Sequence, residues 1–413
     1  MVSMPSDKWT FLSRFRAKAY GWKGSRPAIQ RLKEAVSEIK KAARKDPVLG
    51  AEGAILLMEK IWPAFEQIDT SSGALGNAVN KALEALVPLV IDAPADTKTR
   101  EEWLERLWLA IVDDGVEYLS QLEERWGEVC GSAEVASEWA DQLTPTIRAC
   151  WNDKRPGGYF RGTMAGLSCL LAAGRHEGLL ELVEHAPFLW WHYRQYGVQA
   201  LVAMGRKTEA IKYAQASRGL NDGWVPVERL CEEILLSSAL WEEAYKRYAF
   251  AANQKTNHLS TFRAIAKKYP MKDEQEILSD LIAKSPGREG QWFATAKELG
   301  NLQLALDLAF RGPCEPKTLN RAAQDNLEKH PVFAAGVAVA SIKNLCAGHG
   351  YEPTTFDARR AYDLAKQAAE KVGFVDDVLH DIRSLLEHDY SFDKIVSKAL
   401  RQGLENRQKG EVA

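Results

Sequence analysis

The chain has 413 residues, 46 % of them hydrophobic and 27 % charged, with a formal net charge of −2. That is ordinary for a soluble globular protein, and it is length enough for two or three units with a large core. No apolar run approaches the roughly 20 residues that span a bilayer, and nothing before Trp9 resembles a secretory leader, so a membrane span is excluded and a cytoplasmic location is expected.

Residues 1–45 hold 12 Lys or Arg against 3 Asp or Glu, whereas the remaining 368 hold 42 against 53. Within this basic start Trp9, Phe11, Leu12 and Phe15 fall at helical spacing. A first helix is expected after Ser6-Asp7, ending near Gly21 to Gly24, with its aromatics buried and its cations solvated. Pro27 opens a second helix through Lys45, and Asp46-Pro47, a capping residue followed by proline, opens a third through Ile68. After Thr70-Ser71-Ser72, the residues Leu75, Ala78, Val79, Ala82, Leu83, Leu86 and Val87 make the three-four stripe of a core helix. A turn at Ala93 to Thr97 precedes a long helix expected from about Lys98 to Trp126, with Trp103, Leu107, Ala110 and Ile111 on one stripe. Ser132 opens another to Leu143. The segment 152–162, with Pro156-Gly157-Gly158, is the clearest break, and it sets a boundary after an N-terminal helical domain at 1–151. Its glycines lack the Gly-x4-Gly-Lys-Ser/Thr order and follow no strand, which makes it a joint rather than a phosphate loop.

Four stretches beyond it can be stacked without gaps. They contain Gly174-Arg175, Gly205-Arg206, Ala239-Leu240 and Gly300-Asn301, and the small residues are separated by 31, 34 and 61 positions. Each stretch ends one helix and starts the next, because glycine passes through left-handed dihedrals without a Cβ penalty. The double interval calls for a diverged turn near Lys268 to Asp273. Five residues after each marker stand Leu179, Ala210, Ala244 and Ala305, followed four later by Val183, Ala214, Tyr248 and Ala309, which share a helix face. Period, turn and small positions resemble the tetratricopeptide repeat, a helix pair of about 34 residues. The expected architecture is all-α: an N-terminal helical bundle, a linker at 152–162, an α-solenoid of tetratricopeptide-like helix pairs at 163–325, and a helical extension at 326–413. In that extension His330-Pro331 begins an apolar helix, Ala347-Gly348-His349-Gly350 ends it, and Thr354 with Asp357 forms a helix-start pair.

Trp292-Phe293, Leu306 to Ala309, Gly312-Pro313-Cys314-Glu315-Pro316 and Arg321-Ala322-Ala323 resemble the C-terminal helical part of an uncharacterised bacterial protein family. Some of its members carry a zinc-binding SWIM module. That module needs Cys-x-Cys and Cys-x-His pairs, which this sequence lacks, so the resemblance implies helices and no activity. Six scattered cysteines and eight scattered histidines offer no ligand spacing, His380 and His388 being two turns apart. No metal or cofactor is expected, and the cysteines read as core residues of a reducing compartment.

The window Phe188-Leu189-Trp190-Trp191-His192-Tyr193-Arg194-Gln195-Tyr196 has five aromatics in nine residues. They cannot all share one helix face. In a tetratricopeptide-like stack this first helix of a pair lines the concave surface, so Trp190, Tyr193, Arg194 and Gln195, with Asn221, Asp222 and Trp224 on the following loop, are candidate partner-contacting residues. The function expected is a non-catalytic protein- or peptide-binding scaffold. The alternative is nucleic-acid association through Lys40, Lys41, Arg44 and Lys45, which would be strongly salt-dependent. An all-α enzyme stands third, since the neighbours in Asp113-Asp114 and Asp376-Asp377 diverge by about 100° on a helix.

Overall fold

The structure, a computed structural model, describes residues 9–152, 158–217 and 224–387. Every regular element among them is a helix. The chain divides into two compact units, Met1–Gly223 and Trp224–Ala413. The division thus falls within the expected repeats and not at 152–162.

The aromatic start of the first unit does not make a long helix. The expected start at Ser6-Asp7 lies outside the described residues, and among residues 9–24 only Thr10–Arg14 winds, as a short 3-10 helix. Lys18 takes a left-handed φ of 58°, and its N–H is spent on the Pro63 carbonyl at 2.7 Å, so this stretch follows the helices beneath it instead of its own axis. The burial expected of Trp9, Phe11 and Phe15 is found. Trp9 lies where a Cβ on Gly53 would stand 2.4 Å from its ring, so glycine there makes room for the indole.

Helices α1 (Ser25–Ala43), α2 (Pro47–Phe65) and α3 (Ala74–Ile91) follow. Asp46 caps α2 by accepting the Leu49 N–H at 3.0 Å, and Pro47 occupies its first turn. α3 buries the expected stripe of Leu75, Val79, Leu83, Leu86 and Val87. At 18 residues and mean hydropathy 1.3 it is long and apolar enough to cross a bilayer, but here it packs on α1 and α2.

Helix α4 (Thr97–Asp113) ends far short of Trp126. Asp114 turns the chain by accepting the N–H groups of Val116 at 3.2 Å and Leu119 at 2.9 Å, and short helices α5 (Ser120–Glu124) and α6 (Trp126–Val129) replace the continuation. A side chain able to hydrogen-bond its own backbone competes with the helix, which the apolar stripe does not reveal. α4 is clamped to α2 by Arg106, bonded to both oxygens of Glu59 and to Glu52, and by the Trp103 indole on Glu52. The buried Arg100 guanidinium reaches the Val90 and Ala93 carbonyls at 2.5 and 2.7 Å, closing the C-terminus of α3 in a region where the helix dipole favours a cation.

Helix α7 (Ala133–Asn152) runs past Pro145 and well beyond the expected end at Leu143. Trp108, Trp126 and Trp139 interlock at its base, with centroids 5.1 to 5.5 Å apart. Helix α8 (Thr163–Ala172) then seats on α6 and α7. A Cβ on Gly127 would lie 2.2 Å from the Ser168 carbonyl, and the Gly127 N–H donates to Ser168 Oγ at 3.0 Å. This close seat is why the first repeat helix belongs with the N-terminal bundle. Of the expected joint, residues 153–157 lie outside the described residues, while Arg161 is tied down by the Ile111 and Val112 carbonyls at 2.8 and 3.0 Å.

α8 pairs with α9 (His176–Glu184), and α10 (Trp191–Ala203) with α11 (Lys207–Ala216). In the second unit the pairs are α12 (Trp224–Leu236) with α13 (Trp241–Ala252), α14 (His258–Lys268) with α15 (Glu274–Ala283), and α16 (Phe293–Glu298) with α17 (Leu302–Arg311). All four turn markers are left-handed, Gly174 at φ 71°, Gly205 at 77°, Ala239 at 58° and Gly300 at 74°. Leu179, Ala210, Ala244 and Ala305 are fully buried. The diverged turn separates α14 from α15, where Tyr269 closes the helix without a left-handed residue.

Glu232 of α12 is wholly buried and holds three helices together. It accepts from Asn253 at 2.8 Å, Lys268 at 2.5 Å and Tyr269 at 2.6 Å. Helices α18 (Pro316–Asn326), α19 (Pro331–Cys346), α20 (Thr355–Val372) and α21 (Val375–Glu387) follow among the described residues of this unit, and residues 388–413 of the expected extension lie outside them. With 12 of its 16 residues buried, α19 is its central helix, and Thr354 and Asp357 form the expected capping box of α20.

Candidate interaction site

The aromatic window is split between a loop and a helix. Residues 186–190 are irregular, and Trp190, in extended conformation, is the N-cap of α10. This resolves the crowding. Phe188, Leu189 and Trp190 project from the loop with 41, 49 and 45 % of their surfaces exposed, and the Phe188 and Trp190 rings stack at 5.0 Å with 14° between planes. Tyr193 is buried between Trp190 at 5.6 Å and Trp151 at 5.3 Å, so the exposed pair rests on a rigid aromatic base.

Arg194 is not a surface anchor. It is buried, its Nη1 donating to Glu184 at the end of α9 and to Tyr213 Oη of α11 at 2.8 Å, with its guanidinium over the Tyr213 ring. It stitches α9, α10 and α11. Tyr213 is half-buried, which pushes its hydroxyl up to about 12. Gln195 is partly buried and donates to the His192 carbonyl at 3.1 Å. Asn221 and Asp222 lie outside the described residues, and Trp224, 59 % exposed, begins the second unit. Of the seven residues expected to contact a partner, Trp190 and Trp224 are thus exposed, and Trp190 stands together with Phe188 and Leu189, which were not among the seven. Pro187 disfavours helix at Ala186 just before it, but no signal in the sequence marks the three residues after it as exposed.

Lys40, Lys41, Arg44 and Lys45 lie at the C-terminal end of α1, where they complement the helix dipole. All four are exposed.

A second cluster surrounds the α4–α5 turn. Asp114 is 1 % and Glu123 6 % exposed. Burial raises the Asp114 carboxyl and pushes Glu123 up to about 8, against the opposing pull of Arg161 and with the charges of Glu117 and Asp114 adding to the rise. Tyr159 donates to Glu117 at 2.7 Å, and the buried Tyr118 hydroxyl has no partner. Burial thus favours the protonated form of Glu123. In the pair Asp113-Asp114 only Asp114 is buried, and neither Asp376 nor Asp377 is, as diverging neighbours on a helix allow. Among the described residues no group of three His, Cys, Asp or Glu could hold a metal ion. Cys130 and Cys169 are buried thiols with sulfurs 4.0 Å apart.

No protein-family model and no curated protein matches the chain.

Proposed function

We propose that this chain is a non-catalytic scaffold of tetratricopeptide-like helix pairs that binds a protein or peptide through the shelf formed by Phe188, Leu189 and Trp190. The observation that carries this reading is the stacked Phe188–Trp190 pair, held open on the packed Tyr193. Stacked rings on a buried base lose little side-chain entropy on binding, and aromatic residues dominate the energetics of interfaces. Five of the six cysteines are buried and all six are thiols, which goes with a cytoplasmic setting.

The test is affinity capture from a nuclease-treated lysate with the wild-type chain and with Phe188→Ala/Trp190→Ala. We expect a specific partner that the double variant loses while its helical content is unchanged. Retention of every specific partner by the folded variant sinks the shelf as the binding site.

Nucleic-acid association is the second reading, favoured by the four cations at the end of α1. Neutralising all four to Gln should then weaken binding and flatten the slope of its salt dependence by about 0.9 for each phosphate no longer neutralised. Binding that ignores salt rules this reading out.

A further inference from the structure

Helices α1 and α3 lie side by side and leave between them a groove of about 310 Å³. Its floor is aliphatic, with Leu32 and Ala82 buried and Ile29, Val36 and Ala78 half-buried. Its rim carries Lys33, Asn77 and Lys81, all exposed. Among the described residues neither lysine has a carboxylate partner. α3 is one of the most apolar helices of the chain and yet only 39 % of its residues are buried. Ala74, Ala78 and Ala82 recur one turn apart along its groove side, so a backbone can approach closely there.

We propose that this groove docks an acidic amphipathic helix of a partner protein. Aliphatic side chains at i, i+3 or i+4, and i+7 would fill the floor, and flanking Asp or Glu would meet Lys33 and Lys81. From Ile29 to Val36 the groove runs about 10 Å, two helical turns, which matches an i to i+7 pair of anchors. The positive edge continues past the groove, because Lys40 and Arg44 follow Lys33 on one stripe of α1.

Two features choose this occupant. The rim residues are exposed, so whatever lies in the groove keeps its outer face in water. A docked helix does that, whereas a small-molecule site encloses most of its ligand. No aromatic side chain lines the groove, so bases would find nothing to stack on, and an aliphatic floor adds nothing to a phosphate backbone. The inference stands apart from the Phe188–Trp190 shelf and does not depend on it.

The test uses the full chain and a fluorescein-labelled, end-capped peptide of about 16 residues, a helix of about 24 Å, made of Leu, Ala and Glu with Leu on one face and Glu beside it. Fluorescence anisotropy should show saturable binding, at least about tenfold weaker when Lys replaces every Glu. Lys33→Glu/Lys81→Glu should cost at least the same factor, and so should Ala78→Phe, which fills the floor. Phe188→Ala/Trp190→Ala should leave the affinity unchanged. Circular dichroism checks the fold of each variant, and Ala74→Phe at the exposed mouth replaces Ala78→Phe if the latter unfolds. Absence of saturable binding, equal affinity for the Lys peptide, or indifference to the floor substitutions overturns the proposal. Binding of an RNA oligonucleotide lost with the lysines but untouched by the floor variants, in a chain that ignores the peptide, assigns the rim to nucleic acid instead. A dimer that Ala78→Phe dissolves assigns the groove to a second copy and equally overturns it.

Discussion

Glu123 lies among Asp114, Glu117 and Arg161 with no hydrogen bond to its carboxyl among the described residues, and burial lifts its pKa from 4.5 to about 8. Between those two values the native state holds a proton that the unfolded chain has released. Stability from this residue is therefore full below about pH 4.5, falls as pH rises through the window and levels off above about 8. Glu123→Gln keeps the shape and removes the titration, so its thermal midpoint should exceed that of the wild type by more at pH 8 than at pH 5, by an amount on the order of a few kcal/mol in stability. Parallel midpoints at both pH values would refute this account. Nothing in the sequence marks Glu123 as different from Glu124, because its burial comes from the chain reversal that Asp114 makes and not from any local pattern. Arg194 shows the same limit. A cationic residue amid aromatics reads as an interface anchor, but its partners Glu184 and Tyr213 sit on the two neighbouring helices, where periodicity has no reach.

Helix hairpins were the most legible elements, since their turn chemistry is local. Gly174, Gly205 and Gly300 adopt the left-handed conformation that a small turn residue implies, and Ala239 adopts it in spite of its Cβ. Gly205→Ala should cost about 1–2 kcal/mol. Ala239→Gly relieves a similar strain but gives the unfolded chain about 0.4–1 kcal/mol of added freedom, leaving a net gain between zero and about 1.6 kcal/mol. Denaturant midpoints at unchanged slope measure both, and a destabilised Ala239→Gly would mean that this turn carries no strain. Long helices were legible where caps exist, as at Asp46 and Thr354, and illegible where a side chain intervenes. The expected helix from Lys98 to Trp126 fails because the Asp114 carboxylate takes the backbone N–H groups that a helix would have used.

At the scale of the molecule the two units have separate sources of cohesion. The first rests on the interlocked tryptophans and the Arg106 clamp, the second on α19 and the Glu232 network. Calorimetry of the full chain should resolve two transitions. Glu232→Ala leaves the buried Tyr269 hydroxyl without its acceptor and should destabilise the unit behind one transition, that of residues 224–413, by about 1–3 kcal/mol. A shift of both transitions together would show that the units melt as one. The all-α class was readable from periodicity throughout the chain. The position of the division was not, because it depends on how tightly Gly127 lets α8 approach α6, a distance no composition shift announces.

The tryptophans add a practical asymmetry. Ten of the 13 precede Gly223, and three of those, Trp108, Trp126 and Trp139, touch one another, whereas the second unit holds Trp224, Trp241 and Trp292. Intrinsic emission from this protein is thus mainly light from its first unit. An optical melt would therefore weight that unit's loss of order above the other's, where the buried Trp292 is the main reporter, so a two-step unfolding of this chain would show one large fluorescence change and one small one.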